Sequence, residues 1–126
     1  FLDFTIGSNS LNNNRMPGIP NSTHYFNLDF KLNNKLNLLL NCKLTGDIYA
    51  DNFNNSKIEN YSIFNLKFLS QINLSKTKFN AFISLNNILN KKYFDNIRIN
   101  AFGSRYYEPA PGFNIMFGIR KWKITL

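Results

Sequence analysis

Apolar and polar residues alternate along most of this chain with a period of two, the spacing at which successive strand side chains point to opposite faces. Residues 1–7 place Leu2, Phe4 and Ile6 against Asp3 and Thr5. Residues 23–32 place His24, Phe26, Leu28, Phe30 and Leu32 against Tyr25, Asn27, Asp29 and Lys31. Over residues 36–50, Leu36, Leu38, Leu40, Cys42 and Leu44 oppose Asn37, Asn41, Lys43, Thr45 and Asp47, with Leu39 out of pattern on the polar side. Residues 61–72 set Phe64, Leu66 and Phe68 against Asn65 and Lys67. Residues 78–89 set Phe79, Ala81, Ile83 and Leu85 against Asn80, Ser84 and Asn86, with Phe82 the apolar exception. A last strand begins at Phe113 and carries Ile115, Phe117 and Ile119 on one side. The pattern predicts an all-β fold, an antiparallel meander of about six long strands.

The connections alternate in length. The segments 8–21, 51–60 and 90–112 are long, polar and rich in breakers. Those at 33–35 and 73–77 are short, and Asn33 and Asn34 suit the positive φ of a tight hairpin. Most strands reach the roughly 9–11 residues that cross a bilayer when tilted. Long loops at one rim, short turns at the other and one continuous apolar face form the pattern of an outer-membrane barrel. Tyr25, Tyr49, Tyr61 and Tyr93 fall near strand ends, where an aromatic girdle would lie. A soluble antiparallel sandwich produces the same alternation. It does not require loop lengths to alternate, and its strands are usually shorter. Six strands are too few to close a membrane barrel, for which about eight is the practical minimum, so the pattern describes part of a larger barrel.

Composition adds limits. The chain has 126 residues, enough for one domain, with 15 Lys and Arg against 7 Asp and Glu and a net charge of +8. The charges are scattered, as on solvated strand faces and loops. Nucleic-acid binding on a sheet needs aromatics beside cations on one face, whereas here rings and charges separate to opposite faces. Cys42 and His24 are each the single residue of their kind, which leaves no zinc or haem ligand set, no cofactor site and no catalytic constellation. No enzyme activity is expected. The chain shows no signal peptide and no apolar run long enough for a transmembrane helix, and it opens at Phe1 in mid-pattern, as a piece of something longer would.

Four elements resemble one family. Asn87-Ile88-Leu89-Asn90-Lys91-Lys92-Tyr93 is similar to the Asn-Leu-Phe-Asp and Lys-Tyr element at the end of the penultimate strand of TonB-dependent outer-membrane receptors. Arg105-Tyr106-Tyr107-Glu108-Pro109-Ala110-Pro111-Gly112 resembles their last extracellular loop. Met16-Pro17-Gly18-Ile19-Pro20 resembles their Leu-Pro-Gly-Val-Pro loop, and Tyr49-Ala50-Asp51-Asn52 their Tyr-Ala-Asp-x-x-Asn element. The resemblance spans residues 1–126.

It implies the last six strands of a 22-stranded barrel in the outer membrane of a Gram-negative bacterium, without plug or signal peptide, and with the long loops extracellular. Other implied partners are the TonB complex, through a missing N-terminal part, and a scarce ligand such as a ferric siderophore. A porin or autotransporter translocator shares the pattern but not the loop motifs. Arg98, Arg105, Tyr106 and Tyr107 are the candidate ligand-binding residues, as charge-assisted donors and ring contacts for an anionic chelate. Their bland alternative is packing of the loop over the rim. Lys31, Lys43 and Lys67, interleaved with Asp29 and Asp47, read as a balanced hydrated wall, and His24 and Cys42 as lipid-facing or interfacial.

Two departures stand out. The family usually has Arg after the Pro-x-Pro-Gly, where this chain has Phe113. In the last strand, Lys121 and Lys123 follow Ile119 on the apolar parity, while Trp122, Ile124 and Leu126 take the other. Because a one-residue slip exchanges the faces, a bulge or strand end is expected near Arg120.

Overall fold

The computed structural model describes residues 5–74, 77–104 and 107–123. Among them are eleven strands and one short helical turn. In chain order the strands are β1 (Thr5–Ile6), β2 (Asn9–Ser10), β3 (Thr23–Asn33), β4 (Leu36–Thr45), β5 (Ile48–Tyr49), β6 (Lys57–Ile58), β7 (Tyr61–Leu74), β8 (Thr77–Asn86), β9 (Phe94–Ile97), β10 (Tyr107–Pro109) and β11 (Asn114–Lys123). A 3₁₀ turn covers Phe102–Ser104. The fold is all-β with antiparallel pairing. One sheet has five strands in the order β11-β8-β7-β4-β3, and β1-β2, β5-β6 and β9-β10 form two-stranded hairpins.

Five of the six expected long strands therefore lie in one sheet. The described end of the first, Thr5–Ile6, instead pairs with Asn9–Ser10, and Leu2 and Phe4 lie outside the described residues. The third expected strand is interrupted after Thr45. Gly46 turns the chain there, donating its N–H to the Ser22 carbonyl at 2.9 Å. A Cβ on Gly46 would lie 3.1 Å from the Ser22 backbone nitrogen, so the approach favours glycine. The loops at 51–60 and 90–112 also contain paired strands, because short polar segments satisfy their backbone groups on each other.

The chain divides into two compact units. One, the loop unit, comprises residues 1–24, 44–62 and 92–110. The other, the sheet unit, comprises residues 25–43, 63–91 and 111–126.

The loop unit has its own small core. Leu11 and Ala50 are fully buried, and Ile48 and Ile58 nearly so. Its segments are joined through main-chain bonds: Gly18 N–H to the Tyr49 carbonyl, Asn21 N–H to that of Asp47 and Asn100 N–H to that of Ala50. Gly18 sits at φ +77°, and a Cβ there would come within 2.6 Å of the Ile99 side chain. Both facts explain a glycine in the Pro-Gly-Ile-Pro stretch.

In the sheet unit the expected faces hold. β7, β8 and β11 are in direct register: Leu66, Leu85 and Ile115 align, as do Phe68, Ile83 and Phe117. Little covers this apolar face. Phe26, Leu28, Phe30 and Leu32 are about half exposed, Ile83 51%, Ile119 73% and Phe117 80%. Cys42 is the exception at 9%, packed among its neighbours rather than presented as a free surface thiol; His24 is exposed.

Two sequence expectations are corrected here. β11 runs through Arg120 to Lys123 with an unbroken register against β8, from Asn114 opposite Asn86 to Lys123 opposite Thr77, so there is no bulge or strand end at Arg120. The change of parity in the sequence is a change of face chemistry, with Lys121 on the apolar side and Trp122 on the polar one. Ile124 and Leu126 lie outside the described residues. The β3–β4 turn also does without positive φ. Asn33 Oδ1 accepts the Lys35 N–H at 2.8 Å, an Asx-type turn, and the asparagines at positive φ are Asn13, Asn54, Asn87, Asn90 and Asn100.

Candidate functional site: loop hairpin and polar sheet face

The last long loop is built on the β9–β10 hairpin, in which Tyr107 opposes Ile97 and Glu108 opposes Asn96. Arg98 directs its guanidinium at the Glu108 carboxylate, with Nε 2.8 Å from Oε1. Asn96 Nδ2 donates to the other carboxylate oxygen at 3.1 Å. The amide of Asn96 and the Arg98 guanidinium together hold the Glu108 carboxyl below its ordinary value. The Tyr107 ring stacks on Phe94 with centroids 4.6 Å apart. The Tyr93 ring packs at a tilt against Tyr61 with centroids 5.1 Å apart, and the Tyr93 carbonyl accepts the Ala110 N–H.

Of the four residues marked from the sequence, the structure places Tyr107 on β10 and Arg98 just past the end of β9, each engaged with a neighbour. Arg105 and Tyr106 lie outside the described residues. Glu108, Asn96 and Phe94 were not marked. An acid nine to eleven positions from an arginine becomes its partner only once a hairpin register is known.

Two further polar clusters order the loop unit. Asp51, nearly buried, accepts the N–H groups of Asn55 and Ser56 with its two carboxylate oxygens, at 3.2 and 2.7 Å. Asn54 exchanges two bonds with the backbone of Arg15, and Asn100 Oδ1 accepts the Asn52 N–H. Asp47 pairs with Lys57 at 3.1 Å and accepts the Asn60 N–H at 3.0 Å. These contacts, the Lys57 bond foremost, lower its carboxyl from the usual range. Asp47 is therefore not part of the polar sheet wall, and the balanced wall expected from the sequence is corrected. The sheet face carries Lys31, Lys43, Lys67, Lys78 and Arg120, and its described acid is Asp29.

That polar face explains the abundance of asparagine. An amide both donates and accepts, so a row of them can continue from strand to strand. Asn41 donates to Asn27 at 2.6 Å, Asn65 donates to Asn41 at 3.1 Å, and Asn65 Oδ1 accepts the Asn87 N–H at 2.9 Å. Asn87, 2% exposed, then holds the chain beyond β8. Its amide donates to the Lys91 and Pro111 carbonyls and accepts the Lys91 N–H. A second row joins Ser84, Asn86 and Asn114.

Phe82, out of pattern in the sequence, lies opposite Gly118, where a Cβ would come within 2.5 Å of its ring. The Lys67 ammonium caps that ring at 4.7 Å. Asn27, Asp29, Asn41, Asn65, Lys67 and Ser84 help line an open concavity of about 470 Å³. No protein-family model matches the chain.

Proposed function

We propose that this chain is the C-terminal part of the β-barrel of a TonB-dependent outer-membrane receptor, an active transporter for a scarce ligand such as a ferric siderophore. One observation carries the membrane reading. The five-stranded sheet has an uncovered apolar face and, in β3 and β11, two long edges unpaired among the described residues. Water is a poor solvent for such a face, and open edges invite further strands. A lipid-facing segment of a larger barrel satisfies both, with the amide-rich face toward the lumen. The loop motifs at residues 16–20, 49–52, 87–93 and 105–112 support the family.

To test the membrane reading, single thiols are placed at Phe117 and Ser84 in a Cys42→Ser background, and the chain is refolded into phosphatidylcholine vesicles. A fluorophore at residue 117 is expected to be quenched by brominated acyl chains, and one at residue 84 by an aqueous quencher. Equal aqueous quenching at both positions would instead indicate a soluble sheet.

The ligand-contacting residues proposed are Arg98, Arg105, Tyr106 and Tyr107. Because Glu108 occupies Arg98, Glu108→Gln should strengthen binding of an anionic ferric chelate severalfold in a fluorescence titration and Arg98→Ala should weaken it. No change in either variant would remove Arg98 from the site.

A further inference from the structure

Charge is divided unevenly between the two units. Ten of the fifteen Lys and Arg and one of the seven acids belong to the sheet unit, a net +9. The loop unit holds five cations and six acids, a net −1. The polar face of the sheet is itself divided. Nearer the long loops, Asn27, Asn41 and Asn65 satisfy one another side chain to side chain. Nearer the short turns the amides are Asn37, Gln71 and Asn80, and none of their side chains has a hydrogen-bond partner among the described residues.

Register brings this second set together. The Lys35 carbonyl accepts the Gln71 N–H at 2.7 Å. Gln71 is opposite Asn80, and Asn80 opposite Arg120. Gln71, Asn80 and Arg120 share the parity of Lys67, Ser84 and Asn114, which puts them on the polar face. Lys31 shares that of Asn27 and Asp29 on β3.

Lys31, Lys35, Asn37, Gln71 and Asn80 help line one open concavity of about 390 Å³. Asp29, the acid of the unit, lines the other one, beside Asn41, and no acid lines this one among the described residues. Neither Lys31 nor Lys35 is ion-paired among the described residues. Arg120 flanks Asn80, with its guanidinium 3.8 Å from the Trp122 ring centroid.

These groups select an anion. Ammonium and guanidinium groups donate and do not accept, and the amides add donors without negative charge. Oxyanions receive their strongest hydrogen bonds from such donors. The backbones of Lys35 and Arg120 are three strand spacings apart, about 15 Å, so a ligand with more than one anionic group engages both ends. The space is that of a small-molecule site.

We propose that this concavity binds a small polyanion bearing two or more carboxylate or phosphate groups. Lys31, Lys35 and Arg120 supply the opposing charge, and the Gln71 and Asn80 amides direct the ligand oxygens. The loop residues around Arg98 belong to the other unit and form a different site. In the proposed barrel this face is lumenal, which puts the concavity on the wall of the transport path. Binding itself rests on register and charge, so it is tested apart from that reading.

The test is calorimetric titration of the whole chain, in micelles of a non-ionic detergent, with citrate and with pyrophosphate. Either or both should bind saturably, about tenfold or more tighter than acetate, and weaken sharply in about 0.5 M salt. The arm that binds tells a carboxylate ligand from a phosphate. Trp122, the single tryptophan, should change its emission over the same concentration range, because the ligand draws on the guanidinium beside it. The set K31Q, K35Q and R120Q should lose about tenfold or more in affinity with unchanged strand content. The set K43Q, K67Q and K91Q, equal in charge removed, should stay near the parent.

Equal loss in both sets would overturn the site in favour of net charge. Absence of saturable binding by both probes, or acetate binding as tightly as they do, overturns it as well. Should the first set fail to fold, Asn80→Asp decides. That change keeps the side-chain shape and puts a carboxylate inside the concavity, so it should weaken binding about tenfold. Unchanged affinity in Asn80→Asp overturns the site.

Discussion

The loop unit and the sheet unit solve the problem of burying apolar surface in different ways. The loop unit closes on itself around Leu11, Ile48, Ala50 and Ile58 and pairs several of its charges. The sheet unit buries little: its core residues Cys42, Ile63 and Asn87 are few, and Phe117 and Ile119 stand largely open. Segments of mixed polarity can form a core once turns bring them together. A sheet that is apolar over one whole face needs that face covered by something else. The contrast teaches that the loops hold themselves, while the sheet depends on its surroundings.

The largest expected effect separates the two faces of the sheet. Phe117→Arg should lower stability in vesicles by about 2–4 kcal/mol, the cost of a cation facing the middle of a bilayer. Ser84→Arg on the polar face should change it far less. Urea titrations of the two variants in lipid check this, and equal losses would erase the distinction between the faces.

Next in size is a change confined to the loop unit. Gly18→Ala places a Cβ at φ +77° and against Ile99, which should cost on the order of 1–3 kcal/mol. Hydrogen exchange should report the loss at Tyr49 and Ala50 and leave β7 and β8 protected. Loss in both units would show that they are not independently held.

Smaller again is the amide row. Asn41→Ala removes a donor to Asn27 and an acceptor for Asn65 and should cost about 1 kcal/mol. The same urea titration reads it, and a change of m-value would point to altered compactness instead.

The smallest effect is on acidity. The Glu108 carboxyl is held below its ordinary value of 4.5 by Asn96 and Arg98. The hairpin therefore gains from the ionised form above that value and loses the gain as pH falls through the lower folded value. Exchange protection across β9 and β10 should decline as the solution is acidified below the ordinary carboxylate range in the parent and stay flatter in Glu108→Gln. Solvent exposure keeps the effect modest.

Much of the sheet was legible because period-two alternation is a local property. Phe68, Ile83 and Phe117 share a face by sequence parity and again by register. The loop hairpins were not legible. The two-residue strands Ile48–Tyr49 and Lys57–Ile58 are too short to show a period, and they form because distant backbone groups need partners. The candidate site divides the same way. Arg98 and Tyr107 were visible as chemistry, whereas the engagement of Arg98 by Glu108 depends on which residue lies across the hairpin. Asp47 was assigned to the wrong surface for a related reason. Parity carries a residue along an uninterrupted strand, and the chain turns at Gly46 first.

By itself, the sequence determined the strand pattern, the two chemically different faces and the excess of cations, because each follows from residue order or composition. Only the tertiary structure decided which charges meet and where asparagines join into rows. Those outcomes depend on register between strands, and register is fixed by contacts between residues far apart in the chain.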